Sequence, residues 1–324
     1  MLIDNFNRQI NYARIAVTDK CNLRCDYCMP LQGLDWLPKS EILSYEEILD
    51  LLIVLADLGI SKVRFTGGEP FVRKDFIKLL EGTSKIKGIE KIAISTNGTE
   101  AYKYLDQLES LGVSSINLSI DSFDESVFNR ITNRLLFNDV MKTFEGILDR
   151  PSIHLKVNTV VLHGVNDNEI ASISKMSQHH RMDVRFIEEM PFNGIGQKKE
   201  TISSNEIIAR LKELHPEMVA IEQQHGATSQ DYFIPGFKGK VGVIEAFSRT
   251  FCGSCNRIRI TPKGDLKTCL YDNGQLSLRS ALREKNFMEV ERRIQNAVSK
   301  RYKDGFEAEK DRTAIKESMA TIGG

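Results

Sequence analysis

An excess of charge of one sign is absent from this sequence. Its 44 lysine and arginine residues balance 44 aspartate and glutamate residues in a chain of 324, so the formal net charge is 0. A neutral chain has no general positive field that would attract nucleic acid or an anionic membrane. Neither nucleic acid nor a membrane is therefore an expected partner.

Long hydrophobic runs are also absent. The most apolar stretch, residues 48–60, is interrupted by Asp50 and Asp57, so no segment is apolar for long enough to cross a bilayer. The first residues have neither the basic start nor the small-residue cleavage site of a secretory signal. With 41% hydrophobic and 27% charged residues, the composition excludes a disordered chain. We expect a soluble, cytoplasmic protein.

Cysteine is scarce, and its six residues form two groups of three. Six are too few for a disulfide scaffold in a chain of this length, and the cytoplasm keeps thiols reduced. Two groups with no cysteine left over indicate two metal sites. The first group is Cys21, Cys25 and Cys28, spaced C-x3-C-x2-C, and the second is Cys252, Cys255 and Cys269, spaced C-x2-C-x13-C.

Three cysteines in each group, instead of four, restrict the metal chemistry. A structural zinc site has four protein ligands, and an electron-transfer [4Fe–4S] cluster is held by four cysteines. Three ligands leave one metal position open, where an exogenous ligand binds. A zinc site completed by a distant histidine or aspartate stays open as an alternative, more so for the second group than for the first.

Short β-branched runs alternate with helical patterns through the first two thirds of the chain. Such alternation predicts βαβ units and a parallel sheet. The first cysteine group follows the first predicted strand, so it lies at the carboxyl end of the sheet, where folds of this class place their chemistry. One predicted helix begins with a capping box formed by Ser44 and Glu47. The predicted strands are 14–18, 62–66, 91–96, 115–120, 155–161 and 183–187.

The first five predicted strands each have one apolar and one polar face. Arg14, Arg64 and Lys156 lie on the polar faces. A packed (β/α) barrel fills its interior with valine, isoleucine and leucine, so these polar faces predict a lumen occupied by a polar ligand. Because buried cations are costly without an anion, that ligand is expected to be anionic. The residues of the sixth predicted strand do not separate into one apolar and one polar face, so we expect a bulge or looser pairing there.

A change of pattern after Pro191 predicts a domain boundary near residue 200. A loop, a helix and shorter strands follow it, and the last helical patterns cover 277–302. The expected domains are 1–200, with the first cysteine group, and 201–324, with the second group and the terminal Gly323-Gly324.

Four sequence features resemble those of a known family. Residues 21–30, Cys-Asn-Leu-Arg-Cys-Asp-Tyr-Cys-Met-Pro, are similar to the signature of radical S-adenosylmethionine (SAM) enzymes, and 65–70, Phe-Thr-Gly-Gly-Glu-Pro, are similar to their glycine-rich SAM-binding segment. The second cysteine group, followed by Asn-Arg-Ile-Arg at 256–259, and the terminal Gly-Gly resemble the MoaA family of GTP 3′,8-cyclases in molybdenum cofactor biosynthesis. The resemblance covers essentially the whole chain.

The resemblance implies an α/β fold and two cofactor sites. The fold would be an incomplete parallel (β/α) barrel of about six strands, closed by a smaller α+β C-terminal domain. Each cysteine group would hold a [4Fe–4S] cluster, with SAM on the open iron of the first and guanine facing that of the second. Tyr27, Gly68, Ser119 and Met190 fall where the family contacts SAM; Arg14, Arg64, Ser95, Lys156, Arg257, Ile258 and Arg259 fall where it contacts GTP.

Two details bear on these assignments. The family usually has threonine where this chain has Ser95, although the hydroxyl group is retained. Glu69, in the glycine-rich segment, is placed to receive a cationic amine. In the resembling family the tail that ends in Gly323-Gly324 reaches into the catalytic pocket.

The implied activity is cyclisation of GTP to (8S)-3′,8-cyclo-7,8-dihydroguanosine 5′-triphosphate. The implied partners are an external one-electron reductant, a downstream cyclic pyranopterin monophosphate synthase and a second copy of the chain. Two alternatives stay open: a peptide-modifying radical SAM enzyme with an auxiliary cluster, and a zinc-binding interaction module. Peptide-modifying enzymes tend to use four cysteines at the auxiliary site, and the neutral charge and polar lumen disfavour the interaction module.

Overall fold

Strands and helices alternate through the first two thirds of the chain, as the β-branched runs predict. The computed structural model describes residues 1–29, 33–190, 200–274, 276–312 and 318–323. The strands are β1 (Leu2–Ile3), β2 (Gln9–Ile10), β3 (Tyr12–Ala16), β4 (Lys62–Thr66), β5 (Lys91–Thr96), β6 (Val113–Ser119), β7 (His154–Val161), β8 (Asp183–Glu188), β9 (Val219–Ala220), β10 (Gln230–Phe233), β11 (Val241–Ile244), β12 (Arg257–Ile260), β13 (Asp265–Lys267) and β14 (Leu276–Ser277).

The helices connect these strands and cover the apolar side of the sheet. In the described ranges, none of them is long and apolar enough to cross a membrane. The helices are α1 (Tyr45–Asp57), α2 (Phe76–Thr83), α3 (Leu105–Ser110), α4 (Glu125–Thr132), α5 (Phe137–Leu148), α6 (Ile170–His179), α7 (Ser204–Leu214), α8 (Arg279–Arg283), α9 (Phe287–Ser299), α10 (Gly305–Lys310) and α11 (Met319–Ile322).

Twelve of the described strands form one sheet, in the order β14-β13-β12-β3-β4-β5-β6-β7-β8-β11-β10-β9. The strands from β12 to β11 in this order run parallel, and the outer strands pair antiparallel. An α/β fold is therefore confirmed. The two strands that flank β3–β8 come from beyond residue 200, so both expected regions of the chain contribute to the same sheet.

The apolar strand faces build the core as the alternation predicts. A row of paired residues crosses five neighbouring strands and is almost completely shielded from solvent: Ile15, Phe65, Ile94, Ile116 and Leu155. Burial of such side chains contributes about 25 cal/mol per Å² of apolar surface removed from water. The opposite face of the same strands is left to polar residues.

The predicted capping box fixes the start of α1. The Ser44 hydroxyl accepts a hydrogen bond from the Glu47 backbone N–H at 3.1 Å, and the Glu47 carboxylate accepts one from the Ser44 backbone N–H at 2.7 Å. The chain then turns at Gly59, whose φ of 95° is in the left-handed region that favours glycine.

The expected irregularity of the sixth predicted strand is wrong. Strand β8 pairs with β7 over six positions, from Asp183 opposite Lys156 to Glu188 opposite Val161, without a register shift. The shift occurs instead between Ile92 and Ala93, where β5 meets β6. Strand β8 is not an edge strand, because β11 pairs with its other side. Its polar side chains have partners: Asp183 contacts Lys156 on β7, and Arg185 lies 3.6 Å from Asp231 on β10.

Candidate active site

A cavity opens at the carboxyl ends of the central parallel strands. Its wall includes the loop after β3, the glycine turn after β4 and the end of β6. The edge of the sheet predicted to carry the chemistry therefore holds a cavity. Nine of the predicted site residues line it: Arg14, Cys21, Cys25, Tyr27, Cys28, Gly68, Ser95, Ser119 and Met190.

The loop of the first cysteine group is held in a tight turn. The backbone N–H of Cys28 donates a hydrogen bond to the carbonyl oxygen of Cys25 at 2.9 Å. The Asn97 amide donates to Cys21 Sγ at 3.6 Å, and the Ser318 hydroxyl donates to the Cys28 carbonyl oxygen at 2.6 Å. The turn itself, the loop after β5 and the C-terminal segment together position the three thiols.

Burial and nearby carboxylates disfavour ionisation of these thiols. Burial, with the Glu69 carboxyl, raises the pKa of Cys21 to about 11. Burial raises the pKa of Cys28 to about 12 and that of Cys25 well above its usual value, the latter also because of Asp121. In the metal-free chain the group is neutral at pH 7, so a bound cationic centre would be needed to hold it as thiolates.

The donor set fits an iron–sulfur cluster. Thiolates are soft ligands that hold [4Fe–4S] clusters, and three of them leave one iron free for a further ligand. In the described part of the chain, no three or more His, Cys, Asp or Glu residues are grouped so as to hold a metal ion. The cysteines of each group are nevertheless near enough to raise one another's pKa values.

The glycine turn after β4 packs on the protein's own backbone. A Cβ atom on Gly67, whose φ is 152°, would lie 2.3 Å from the carbonyl oxygen of Thr18. One on Gly68 would lie 2.3 Å from the carbonyl oxygen of Lys20. Only glycine permits this close approach, which fixes the turn against the first cysteine loop.

The carboxylate of Glu69 accepts hydrogen bonds from the protein itself. Its donors include the Asn97 backbone N–H at 2.6 Å and the Thr96 hydroxyl at 2.8 Å. The side chain is fully buried, and burial raises its pKa to about 7. Glu69 therefore joins the ends of β4 and β5, and it is not among the described residues that line the cavity.

Tyr27 is oriented by a carboxylate at the end of β6. Its hydroxyl donates a hydrogen bond to Asp121 Oδ2 at 2.7 Å, and the Val160 backbone N–H donates to Oδ1 at 2.9 Å. Burial raises the pKa of Asp121 to about 6 and that of Tyr27 well above its usual value. Both side chains line the cavity, so the tyrosine ring is fixed beside the first cysteine group.

Three guanidinium side chains lie in register on neighbouring parallel strands. Arg14 pairs with Arg259 on one side and with Arg64 on the other. Burial and the neighbouring positive charges lower the pKa of Arg14 to about 9 and that of Arg259 to about 10. Arg64 is buried and the other two are partly buried, so a bound anion would reduce the repulsion among them. Arg14 and Arg64 share one strand face as predicted, and Arg259 extends the row from β12.

Lys156 continues the polar face, with a carboxylate partner that the sequence did not reveal. Its Nζ lies 3.4 Å from Asp183 Oδ2, which also contacts His154 Nε2 at 2.8 Å. Burial and the Arg185 charge lower the pKa of Lys156 to about 8. Ser95 is in register with Lys156 through the intervening strand β6. In the sequence, Asp183 could be noticed only because it begins the sixth predicted strand, whose residues do not alternate cleanly between apolar and polar.

The second cysteine group lies beside the arginine row, with Cys252 and Cys255 just before β12 and Cys269 just after β13. Burial by itself raises the pKa of Cys255, but Arg257 and Arg301 lower it to about 6. Burial raises the pKa of Cys269 to about 11 and also raises that of Cys252. Ile258, predicted to contact substrate, has its side chain on the opposite face, in the apolar core.

The C-terminal segment connects the two cysteine groups. Arg259 Nη1 donates a hydrogen bond to the Gly323 carbonyl oxygen at 2.7 Å, and Met319 and Ala320 line the cavity. A Cβ atom on Gly323 would lie 2.9 Å from the Ala16 Cβ, so glycine allows the segment to approach β3. Gly324 lies outside the described residues.

Family models match most of the chain. Residues 15–176 match the model described as Radical SAM superfamily, and 182–306 match Molybdenum Cofactor Synthesis C. The chain therefore belongs to the radical SAM superfamily. By its relatives, the chain belongs within that superfamily to the family of GTP 3′,8-cyclases and molybdenum cofactor biosynthesis proteins.

Two curated relatives show the extent of this similarity. The chain is 37% identical to the GTP 3′,8-cyclase of Chlorobaculum tepidum, over 100% of this chain and 97% of that protein. It is 42% identical to molybdenum cofactor biosynthesis protein 1 of Dictyostelium discoideum, over 88% of this chain. The chain covers 46% of that longer relative.

A solved structure shows the same fold at low sequence identity. Streptococcus suis SuiB bound to S-adenosylmethionine superposes with a TM-score of 0.57 and 13% identity, over 83% of this chain and 62% of SuiB. This likeness concerns the fold alone.

Proposed function

We propose that this chain carries out the radical SAM cyclisation of GTP to (8S)-3′,8-cyclo-7,8-dihydroguanosine 5′-triphosphate, an early step of molybdenum cofactor biosynthesis. The observation that carries the proposal is the in-register row of Arg259, Arg14 and Arg64, with Arg14 in the wall of the cysteine-lined cavity. A triphosphate would supply negative charge and acceptor oxygens that suit this row of guanidinium groups. The full-length relative named GTP 3′,8-cyclase supports the same reaction.

The cavity would hold the first [4Fe–4S] cluster and SAM. Cys21, Cys25 and Cys28 would ligate the cluster, and Tyr27, Gly68, Ser119 and Met190 would contact SAM; all line the cavity. When bound, these cofactors supply the one-electron chemistry that produces a hydrogen-abstracting radical. The protein holds Tyr27 through Asp121, and Met190 packs against the apolar cluster of Tyr271, Ala308 and Ile322.

The arginine row and Lys156 would bind the nucleotide. Arg64 is itself held by hydrogen bonds from Nε to the Tyr12 hydroxyl at 2.9 Å and from Nη1 to the Ile94 carbonyl at 2.7 Å, so its position is set before substrate arrives. Pre-positioned cations orient the ribose toward the cavity at little entropic cost. Ser95 would contribute its hydroxyl, as the family's threonine does.

The second cysteine group would hold a second [4Fe–4S] cluster that anchors the guanine. Cys252, Cys255 and Cys269 supply three thiols next to Arg257 and Arg259, and the main chain of Ile258 lies between these arginines. A cluster with three protein ligands leaves one iron position for a substrate atom.

The remaining parts of the proposal concern architecture and partners. Parallel strands β3–β8 support an incomplete (β/α) barrel of about six strands in residues 1–200, with 201–324 closing it through strands at both sheet edges. From the family resemblance we propose a cytoplasmic homodimer that receives electrons from an external reductant. Its product would pass to a cyclic pyranopterin monophosphate synthase.

Anaerobic reconstitution tests the proposal directly. We expect roughly eight iron atoms per chain, four for each cluster, with matching sulfide. Formation of 5′-deoxyadenosine together with the cyclised nucleotide is expected with GTP and not with ATP. Zinc without iron would support the interaction module, and iron with SAM cleavage on peptides instead of GTP would support a peptide-modifying enzyme.

A further inference from the structure

A buried ionic network connects the N-terminal hairpin to the second cysteine group. The side chain of Asp4 is fully shielded; its Oδ2 lies 2.6 Å from Arg8 Nε and 3.6 Å from Arg301 Nη1. Arg8 Nη1 donates a hydrogen bond to the Cys252 carbonyl oxygen at 3.0 Å. Strand β1 also packs on α9, the helix that precedes Arg301. The network therefore holds the start of the chain, the end of α9 and the cysteine loop together.

Arg301 makes two hydrogen bonds to one cysteine. Its Nη1 donates to the Cys255 carbonyl oxygen at 2.9 Å, and its Nη2 donates to Cys255 Sγ at 2.9 Å. Arg257 Nη2 approaches the same sulfur at 3.4 Å. The planar guanidinium of Arg301 thus fixes both the main chain and the sulfur of Cys255.

The cations of this network are placed to stabilise negative charge on the sulfur of Cys255. Three guanidinium groups, those of Arg8, Arg257 and Arg301, lie around the carboxylate of Asp4 and the sulfur of Cys255. A neutral thiol gains little from a guanidinium, whereas a metal-bound thiolate accepts a strong charge-assisted hydrogen bond. At the first group the donor to Cys21 Sγ is the neutral amide of Asn97, at 3.6 Å.

We propose that Arg301, held by Asp4, is a positioning residue that orients Cys255 and raises the reduction potential of the second [4Fe–4S] cluster. The inference rests on the second cluster of the proposed function. Hydrogen bonds to the sulfurs and local charge set the potentials of iron–sulfur clusters. A cation on the sulfur stabilises the additional negative charge of the reduced state, so its removal makes the cluster harder to reduce.

The test is a redox titration of the second cluster, followed by electron paramagnetic resonance. The full chain carrying C21A, C25A and C28A isolates the second group. In that background we expect Arg301→Leu to shift the midpoint potential to a more negative value, and Arg301→Lys to shift it less, because lysine keeps the charge and loses the planar fork. Arg292→Leu is the matched control: Arg292 lies on α9, its side chain is 68% exposed, and no shift is expected.

Iron content and circular dichroism accompany each titration. A midpoint potential in Arg301→Leu equal to that of the parent, at equal iron content, would overturn the inference. If Arg301→Leu does not fold, the titration of Arg301→Lys tests the proposal. A midpoint potential in Arg301→Lys that equals the parent's, or is more positive, overturns it. Absence of iron from the parental second group would instead overturn the second cluster of the proposed function, and the inference with it.

Discussion

Glu69 and Asp121 lie near the first cysteine group, whereas Arg257 and Arg301 donate hydrogen bonds to the second. Each group contributes three thiols, yet the charges beside individual cysteines differ. At the first site burial, together with these carboxylates, raises the pKa values of Cys21 and Cys25, so a bound cationic centre is required to hold them as thiolates. At the second site Arg257 and Arg301 outweigh burial and lower the pKa of Cys255 to about 6, whereas burial raises those of Cys252 and Cys269. The number of cysteines therefore says less about a cluster than the residues packed around it.

The largest difference between the two sites is expected when one thiol is removed from the second group. We expect Cys269→Ala to abolish cyclised product while SAM cleavage remains detectable, because the first cysteine group lines the cavity and Cys269 is not among the described residues that do. Product and 5′-deoxyadenosine are measured together by chromatography. Cys25→Ala, in the first group, should abolish both SAM cleavage and cyclised product. Loss of SAM cleavage in a Cys269→Ala chain that retains the first cluster would show that the sites are not separable.

The pH dependence of thiol alkylation in the metal-free chain should also distinguish the two cysteine groups. The pKa of Cys255 is about 6, whereas those of Cys21 and Cys28 are about 11 and 12. Since only the thiolate reacts, Cys255 should be labelled at pH 7 about a hundredfold or more faster than Cys21 and Cys28. Its labelling rate should fall as the pH drops through about 6. Mass spectrometry of labelled peptides measures each rate. Equal rates at pH 7 would contradict the proposed electrostatic difference between the two cysteine groups.

The polar strand face between the two groups gives a smaller effect. We expect Arg64→Ala or Lys156→Ala to weaken GTP binding about 10–100-fold, the range for a lost hydrogen bond to a charged group. SAM binding should change little. Equilibrium binding of each ligand is measured by calorimetry, with Lys142→Ala as the control because Lys142 is an exposed helix residue paired with Asp139. Unchanged GTP affinity in both variants would refute the anion-binding face.

The smallest effect concerns the segment that joins the groups. Gly323→Ala places a Cβ 2.9 Å from the Ala16 Cβ at a φ of 76°. The left-handed conformation alone costs about 1–2 kcal/mol, so amide exchange in 318–323 should increase roughly 5–30-fold. Gly164→Ala is the matched control, since its φ is 66° and no atom lies within 4 Å of the added Cβ. Equal exchange in 318–323 for both variants would show that close packing on β3 is unimportant.

Local signals in the sequence determined much of the fold. Strands β4 and β5 have the predicted bounds, and α1 begins at the predicted capping box, because alternation and capping depend on residues a few positions apart. The same alternation placed Arg14, Arg64 and Lys156 on one polar face. Helices α2 and α4 have eight residues each, which is short for a helical period to be clear in the sequence.

The two cysteine groups, the succession of strands in the first two thirds of the chain and the polar strand face could all be predicted from the sequence. Only the tertiary structure decided that β11 and β12 extend the sheet from both sides, because strand pairing across many residues leaves no local pattern. It also decided that Lys156 meets Asp183 and that Arg301 binds the sulfur of Cys255, 46 residues away in the chain. A cysteine's spacing is encoded locally, but its electrostatic environment is set by whichever side chains the fold packs against it.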